Sequence, residues 1–303
     1  MSCLRASGIA VLLLLVTLQA AAQGYQPAAE YQSLLNLRFY EANGGFNVDG
    51  LQVVFPPQGA EASLVVSGGG GAPVTIPLRV EPAGDFPAFG RLVANSGPGI
   101  FQLNKAGDFT MTLQVNGEAV TTLPFTLEGG SSGDPFNPKT SYRRAGPWAD
   151  LAYFSAPVDD PAGLVKINWW SSLREVPDAG SRAMLTVHIL KGGKEVAATT
   201  SNTVLSNDDW QFFSREIARG SSEYLTLKNL AATDGGCEVV IKADGKPIKT
   251  FPFTVAAGKL LPHGRSALDY APHTDFLSPR LVDMSSGSSS SYKMLEAYWM
   301  QAK

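Results

Sequence analysis

Gly107 to Leu127 reads GDFTMTLQVNGEAVTTLPFTL, and Gly235 to Val255 reads GGCEVVIKADGKPIKTFPFTV. The two stretches align without a gap; six of the 21 paired positions are identical, and most others exchange one apolar residue for another at the same phase. Each copy alternates apolar and polar residues, through Phe109, Met111, Leu113 and Val115 in one and Cys237, Val239, Ile241 and Ala243 in the other. Alternation with period two puts one set of side chains on one face of a strand. Each run then meets Asn116-Gly117 or Asp244-Gly245, residue pairs that accept positive φ at both central positions of a type I′ turn. Two β-hairpins are therefore expected, and a recurrence 128 residues apart predicts a duplicated all-β unit.

The return runs carry a break in parity. Val120 is in phase with Leu113 across the turn, but Leu123, Phe125 and Leu127 have the opposite phase, and the same break separates Ile248 from Phe251. A one-residue shift turns a whole side-chain set to the other face, so a bulge is expected near Thr121-Thr122 and near Lys249-Thr250.

Working outward, short alternating runs separated by Gly and Pro precede each hairpin: Leu51 to Phe55, Leu64 to Val66 and Val74 to Val80 in the first half, Leu164 to Trp170 and Met184 to Leu190 in the second. Short strands between turn signals point to sandwiches or barrels rather than βαβ units. Pro77 inside its run marks that strand as an edge. Gly163 to Trp169 looks like the counterpart of Gly50 to Phe55, and Leu185 to His188 like that of Leu64 to Ser67.

The expected layout is a signal peptide over 1–22, a first β-sandwich over 23–128, a linker over 129–147, a second β-sandwich over 148–258 and a C-terminal tail over 259–303. The signal peptide rests on Arg5, the apolar run Gly8 to Leu18 and Ala20-Ala21-Ala22 before Gln23, with cleavage after Ala22. The linker rests on its Gly, Ser and Pro content, and its Arg143-Arg144 pair reads as solvated and protease-accessible. The tail reads as irregular, with a Ser-rich spacer from Ser285 to Ser291. Its aromatic end, Tyr292 to Lys303, is too apolar to stay in water and is expected to dock as a short helix or an added strand.

Composition narrows the function. The net charge is −3, with no basic stripe to neutralise phosphates, so nucleic acid is not an expected partner. Nothing after the leader is apolar enough to cross a membrane. Of the 2 cysteines, Cys3 lies in the leader, so Cys237 has no partner for a disulfide; it aligns with Phe109 and reads as a small buried hydrophobe. Localisation in the periplasm, at the cell surface or in the medium follows from the leader.

The hairpin pattern, Gly-x-aromatic followed by a turn and Pro-Phe-x-Val, resembles the last hairpin of the bacterial immunoglobulin-like and fibronectin type III-like sandwiches of exported proteins. The resemblance covers Gly107 to Leu127 and Gly235 to Val255, without the Cys-Trp-Cys core of antibody domains. It implies two tandem immunoglobulin-like antiparallel sandwiches and a role in adhesion, spacing or ligand binding.

Candidate chemistry is sparse. His188 lies mid-strand; His263 and His273 lie in the tail near Asp269 and Asp275, without the tight ligand spacing of a zinc site. Asp159-Asp160 and Asp208-Asp209 fall in loops without a calcium-loop pattern. No cofactor or metal is expected. Trp169 and Trp170 stand out, because neighbours in a strand point to opposite faces: one fills a core, and the other meets the sister domain, the tail or a ligand. The expectation is a non-enzymatic exported binding, adhesion or scaffolding protein of the cell envelope, with an envelope protein or polysaccharide as partner, acting through end loops or an exposed sheet edge. The alternatives are a carbohydrate-binding accessory protein using Trp169 or Trp170 as ligand-binding residues, and a hydrolase with its site at His263, Asp269 and His273.

Overall fold

The computed structural model describes residues 39–42, 45–48, 54–55, 61–83, 86–94, 102–103, 105–131, 140–157, 162–199, 201–206, 210–220, 223–232, 234–268, 274–275, 281–283 and 292–303. The signal-peptide segment, Asp159-Asp160, Asp208-Asp209, Asp269, His273 and the Ser-rich run lie outside them. The described chain is all-β and antiparallel apart from one short parallel pairing, with a single four-residue α-helix, α1 (Leu227–Leu230).

In the first half the strands are β1 (Phe39–Ala42), β2 (Gly45–Val48), β3 (Val54–Phe55), β4 (Ala62–Gly68), β5 (Gly71–Ala83), β6 (Phe86–Ala94), β7 (Gln102–Leu103), β8 (Gly107–Val115), β9 (Glu118–Ser131) and β10 (Thr140–Ala145). The second half holds β11 (Leu151–Pro157), β12 (Lys166–Ser171), β13 (Ala183–Lys191), β14 (Lys194–Thr199), β15 (Thr203–Leu205), β16 (Gln211–Arg219), β17 (Glu223–Tyr224), β18 (Gly235–Ala243), β19 (Lys246–Ala256) and β20 (Lys259–Leu260). The tail adds β21 (Thr274–Asp275), β22 (Leu281–Asp283) and β23 (Tyr292–Gln301).

Both expected hairpins form, and they match in detail. Asn116 and Gly117 have φ of 52° and 82°, and Asp244 and Gly245 have φ of 48° and 81°, the signature of type I′ turns. The ladder steps from Gln114↔Ala119 to Leu113↔Thr121 in the first copy and from Lys242↔Pro247 to Ile241↔Lys249 in the second. The extra residues are thus Val120 and Ile248, one position nearer the turn than the parity break indicated. Each turn is also tied to the start of a neighbouring strand: Asn116 exchanges backbone N–H and side-chain acceptor with Glu61, and Asp244 does the same with Met184.

That tie sets the register of the duplication. Glu61 corresponds to Met184, so Ala62 matches Leu185 and Leu64 matches Val187, two residues from the alignment expected from sequence. The correspondence extends well beyond the hairpins. The sheet order β10-β9-β8-β4-β5-β6-β3 in the first half is the order β20-β19-β18-β13-β14-β16-β12 in the second, so seven strands recur in one sequence of neighbours. The β4–β5 and β13–β14 turns repeat as well, with positive φ at Gly69-Gly70 and Gly192-Gly193.

Three expectations need correcting. First, part of the linker is strand: Gly129 to Ser131 continue β9, and β10 pairs back along it from Thr140↔Ser131 to Ala145↔Thr126. Glycine and serine adopt an extended backbone when a neighbouring strand completes their hydrogen bonds, and composition alone does not report that neighbour. Arg144 on this hairpin is buried, not solvated. Second, the tail is not irregular throughout: its aromatic end docks as the added strand, one of the two forms expected, with β23 pairing with β11 from Leu151↔Gln301 to Pro157↔Leu295 and its first three residues pairing with β22. Third, β5 is an interior strand between β4 and β6; Pro77 is tolerated because pairing with β6 begins only at Leu78↔Ala94.

Two apolar clusters fill the interior. One lies between β11, β12, β16 and β23 on one side and β13, β18 and β19 on the other, with Phe154, Ile167, Trp169, Val187, Ile241 and Phe251 at its centre. The other runs from Leu64, Val66, Met111, Leu113 and Phe125 to Trp148, Tyr153, Trp170, Phe212 and Trp299. The sheet containing β11 and β12 is therefore buried on both faces, one toward the second-half cluster and one toward the other.

Candidate functional site

The sequence singled out Trp169 and Trp170, and the structure sends them to opposite faces of β12. Trp169 is 0% exposed and stacks on Phe213, with ring centroids 5.2 Å apart, in the second cluster. Trp170 is 1% exposed and meets Phe212 at 5.0 Å and Tyr153 at 6.2 Å in the first. The face opposite the core is thus covered by neighbouring aromatic groups, including Trp299 of the tail, whose ring lies 4.6 Å from that of Tyr153. Sugar stacking requires an open ring face, and neither tryptophan offers one. Burying a Trp removes roughly 150–250 Å² from water, so the pair acts as a double anchor.

A second constellation was not foreseen. Lys249 occupies the ladder position that Thr121 holds in the first hairpin, and the bulge at Ile248 sets it opposite the buried Ile241. Its ammonium is buried and fully used: Nζ donates to the carbonyls of Ala149 (2.6 Å) and Trp170 (3.0 Å) and pairs with Glu175 Oε1 at 2.7 Å. The charge also lies 4.7 Å from the centroid of Trp210. An ammonium has three N–H donors, and each has an acceptor here.

Glu175 is held by its own short 3₁₀ turn, Leu173–Glu175, which closes with a capping box. Ser172 Oγ accepts from the Arg174 N–H, and Glu175 Oε2 accepts from the Ser172 N–H at 3.1 Å. Burial pushes the Glu175 carboxyl above its ordinary range, opposed by the Lys249 charge and its hydrogen bond. Burial likewise pulls the Lys249 ammonium below its ordinary range, opposed by Glu175 and Asp150. For both groups desolvation outweighs mutual attraction, the usual balance of a buried ion pair.

The same turn reaches the first half of the molecule. Arg174 donates to the carbonyl of Arg144 on β10 (2.8 Å) and pairs with Glu128 on β9 (3.3 Å). Trp210 Nε1 donates to that same Arg144 carbonyl at 2.8 Å. Lys249, Glu175, Arg174 and Trp210 form one connected fastening between the second hairpin and the β9–β10 arm. Nearby, Gly146 is required by packing rather than by φ: a Cβ there would lie 2.1 Å from the ring of the fully buried Trp148.

The remaining polar candidates are engaged locally. His263 Nδ1 accepts from the Arg265 N–H at the start of a 3₁₀ turn, and its expected companions Asp269 and His273 lie outside the described residues. His188 sits between Glu195 (2.7 Å) and Thr186 (2.9 Å). Cys237 is buried, and that burial raises its thiol pKa. No group of three or more metal-ligating side chains occurs among the described residues.

The surface does carry a concavity of about 460 Å³ where the β4–β8–β9 sheet meets the chain leaving β10. Phe109, Phe125 and Pro147 make it apolar, while Thr110, Thr126 and Asp108 supply polar groups. Asp108 accepts from the Thr126 hydroxyl at 2.7 Å. Such a cleft can accept an apolar group and orient it by hydroxyl and carboxylate contacts. Comparison with known proteins returned no matching family model, no matching curated protein and no matching solved structure.

Proposed function

We propose that the chain is a non-enzymatic exported protein of the bacterial cell envelope, built from two tandem immunoglobulin-like sandwiches, that binds or scaffolds a partner at the junction of its halves. The carrying observation is how chemically capable side chains are used. Lys249, Glu175, Arg174 and Trp210 hold the second hairpin to the β9–β10 arm, while the cleft beside that arm stays open and apolar. The doubled seven-strand order supports the tandem reading, and the apolar leader supports export. An exposed-edge mode is a second route, because β10 and β20 end their sheet orders and each pairs with one neighbour among the described residues.

The test places a photo-crosslinking amino acid at Thr110, in the cleft, and separately at Lys246, in the second hairpin turn, in a bacterial host. A processed chain beginning at Gln23 that forms discrete adducts from position 110 and not from 246 is the expected result. A chain that keeps its first 22 residues, or adducts from neither position, contradicts the proposal.

A further inference from the structure

From the rows of side chains across β4, β8 and β9, we infer that the cleft beside the β9–β10 arm receives a lysine side chain of a partner polypeptide, with Asp108 as its counter-charge. The inference rests on the reading of that cleft as the partner site and names the chemistry the partner brings.

Register sets the polar floor of the cleft. Ser67, Thr110 and Pro124 stand opposite one another in one row, and Asp108, Thr126 and Ala145 stand in the next. These residues alternate with the buried Phe109, Met111 and Phe125, so they belong to the other face of the sheet. Asp108 is the only charged residue among those lining the cleft. Its Oδ1 accepts from the Thr126 hydroxyl, and no cation pairs with it among the described residues.

The second half shows how the same rows are satisfied there. They read Leu190, Glu238 and Pro252, then Gly236 and Thr254, so the carboxylate stands one row along the strand. That carboxylate already has a lysine: Lys303 Nζ lies 2.5 Å from Glu238 Oε1, while the Lys303 N–H donates to the Thr250 carbonyl of β19. An extended segment thus brings an ammonium to this face in one half, and the other half has the carboxylate beside a cleft. The cleft wall is held in advance, with Gly146 packed on Trp148 and the Arg144 carbonyl bound by Arg174 and Trp210. Little ordering is left for a partner to impose.

The donor set selects lysine over arginine. With Oδ1 engaged by Thr126, Asp108 is a poor match for the two parallel bonds of a guanidinium fork. An ammonium has three separately directed donors, and Asp108, Thr110 and Ser67 offer acceptors in adjacent rows. The methylene stem suits the apolar lining from Pro124 and Pro147.

The experiment titrates the isotope-labelled full chain with acetyl-Gly-Lys-Gly-amide, and with tripeptides carrying norleucine or arginine in place of the lysine. Saturable movement of the Thr110 and Thr126 amide signals is expected with lysine, none with norleucine, and weaker binding with arginine. Asp108→Asn should weaken lysine binding by about fivefold, the scale of an accessible ion pair, and leave the urea midpoint in place. Glu238→Gln, on the matching face of the second half, should not change it. No movement with the lysine peptide overturns the inference, as does norleucine or arginine binding as tightly, or Asp108→Asn binding as well as the parent. Cellotriose moving these signals where the lysine peptide does not would overturn it in favour of a saccharide. Photo-adducts at position 110 without lysine binding sink this inference and spare the cleft as the partner site. Lysine binding without adducts upholds the inference and removes that reading.

Discussion

The two hairpins are built alike and loaded differently. They share a type I′ turn, a bulge one residue into the return strand, and a reciprocal tie from the turn to a neighbouring strand. At the position after the bulge, however, the first has Thr121 and the second Lys249. Backbone geometry common to both therefore follows from the repeated turn and parity, whereas the fastening between halves belongs to one side chain. The lesson is that a duplicated scaffold diverges at the positions its bulge re-aims.

The comparison breaks most sharply at Lys249. Lys249→Met leaves Glu175 buried without its counter-charge and frees two backbone carbonyls, for an expected loss of about 3–5 kcal/mol in denaturant unfolding. Adding Glu175→Leu removes the orphaned charge, and the double variant should return to within about 1 kcal/mol of the parent or exceed it. A double variant as unstable as the single one would mean that Glu175 is not the partner that matters.

The same pair makes a signed pH prediction. The folded pKa of Glu175 is raised, so its contribution is full below the ordinary value of 4.5 and fades as pH rises through the folded value. That of Lys249 is lowered, so its contribution is full above the ordinary 10.5 and fades as pH falls through the folded value. With both groups charged near neutrality, both desolvation costs stand. The advantage of the double variant should therefore be greatest there and shrink toward pH 4.5; a gap that widens on acidification would contradict the sign.

A smaller, matched effect sharpens the likeness. Asn116→Ala and Asp244→Ala each remove a side-chain acceptor and put alanine at positive φ, at a cost of about 1–2 kcal/mol. Urea midpoints should fall by similar amounts for the two variants. A large disparity would show that the turns are not equivalent in energy.

Much of this was legible in the sequence, for identifiable reasons. Alternation and Asn-Gly or Asp-Gly turns encode local backbone, so the hairpins and bulges could be read directly. Lys249 shares the phase of Phe251, across the parity break from Ile248, but a lysine in a strand is ordinarily a solvated residue. The burial of Trp170 and the β9–β10 arm depended on partners far along the chain. Neither the tail strand beside β11 nor the Arg174 contact to Arg144 leaves a trace in local periodicity. Composition likewise separates a Gly-Ser linker from a Gly-Ser strand only when the neighbouring strand is known.

The account stands most directly on the doubled sheet, and cross-strand nuclear Overhauser contacts read it without reference to function. It predicts backbone contacts between Val66 and Met111 and between Leu64 and Leu113, and matching ones between Ile189 and Val239 and between Val187 and Ile241. Helical contacts in either stretch, or a register in one half that the other does not reproduce, would contradict it.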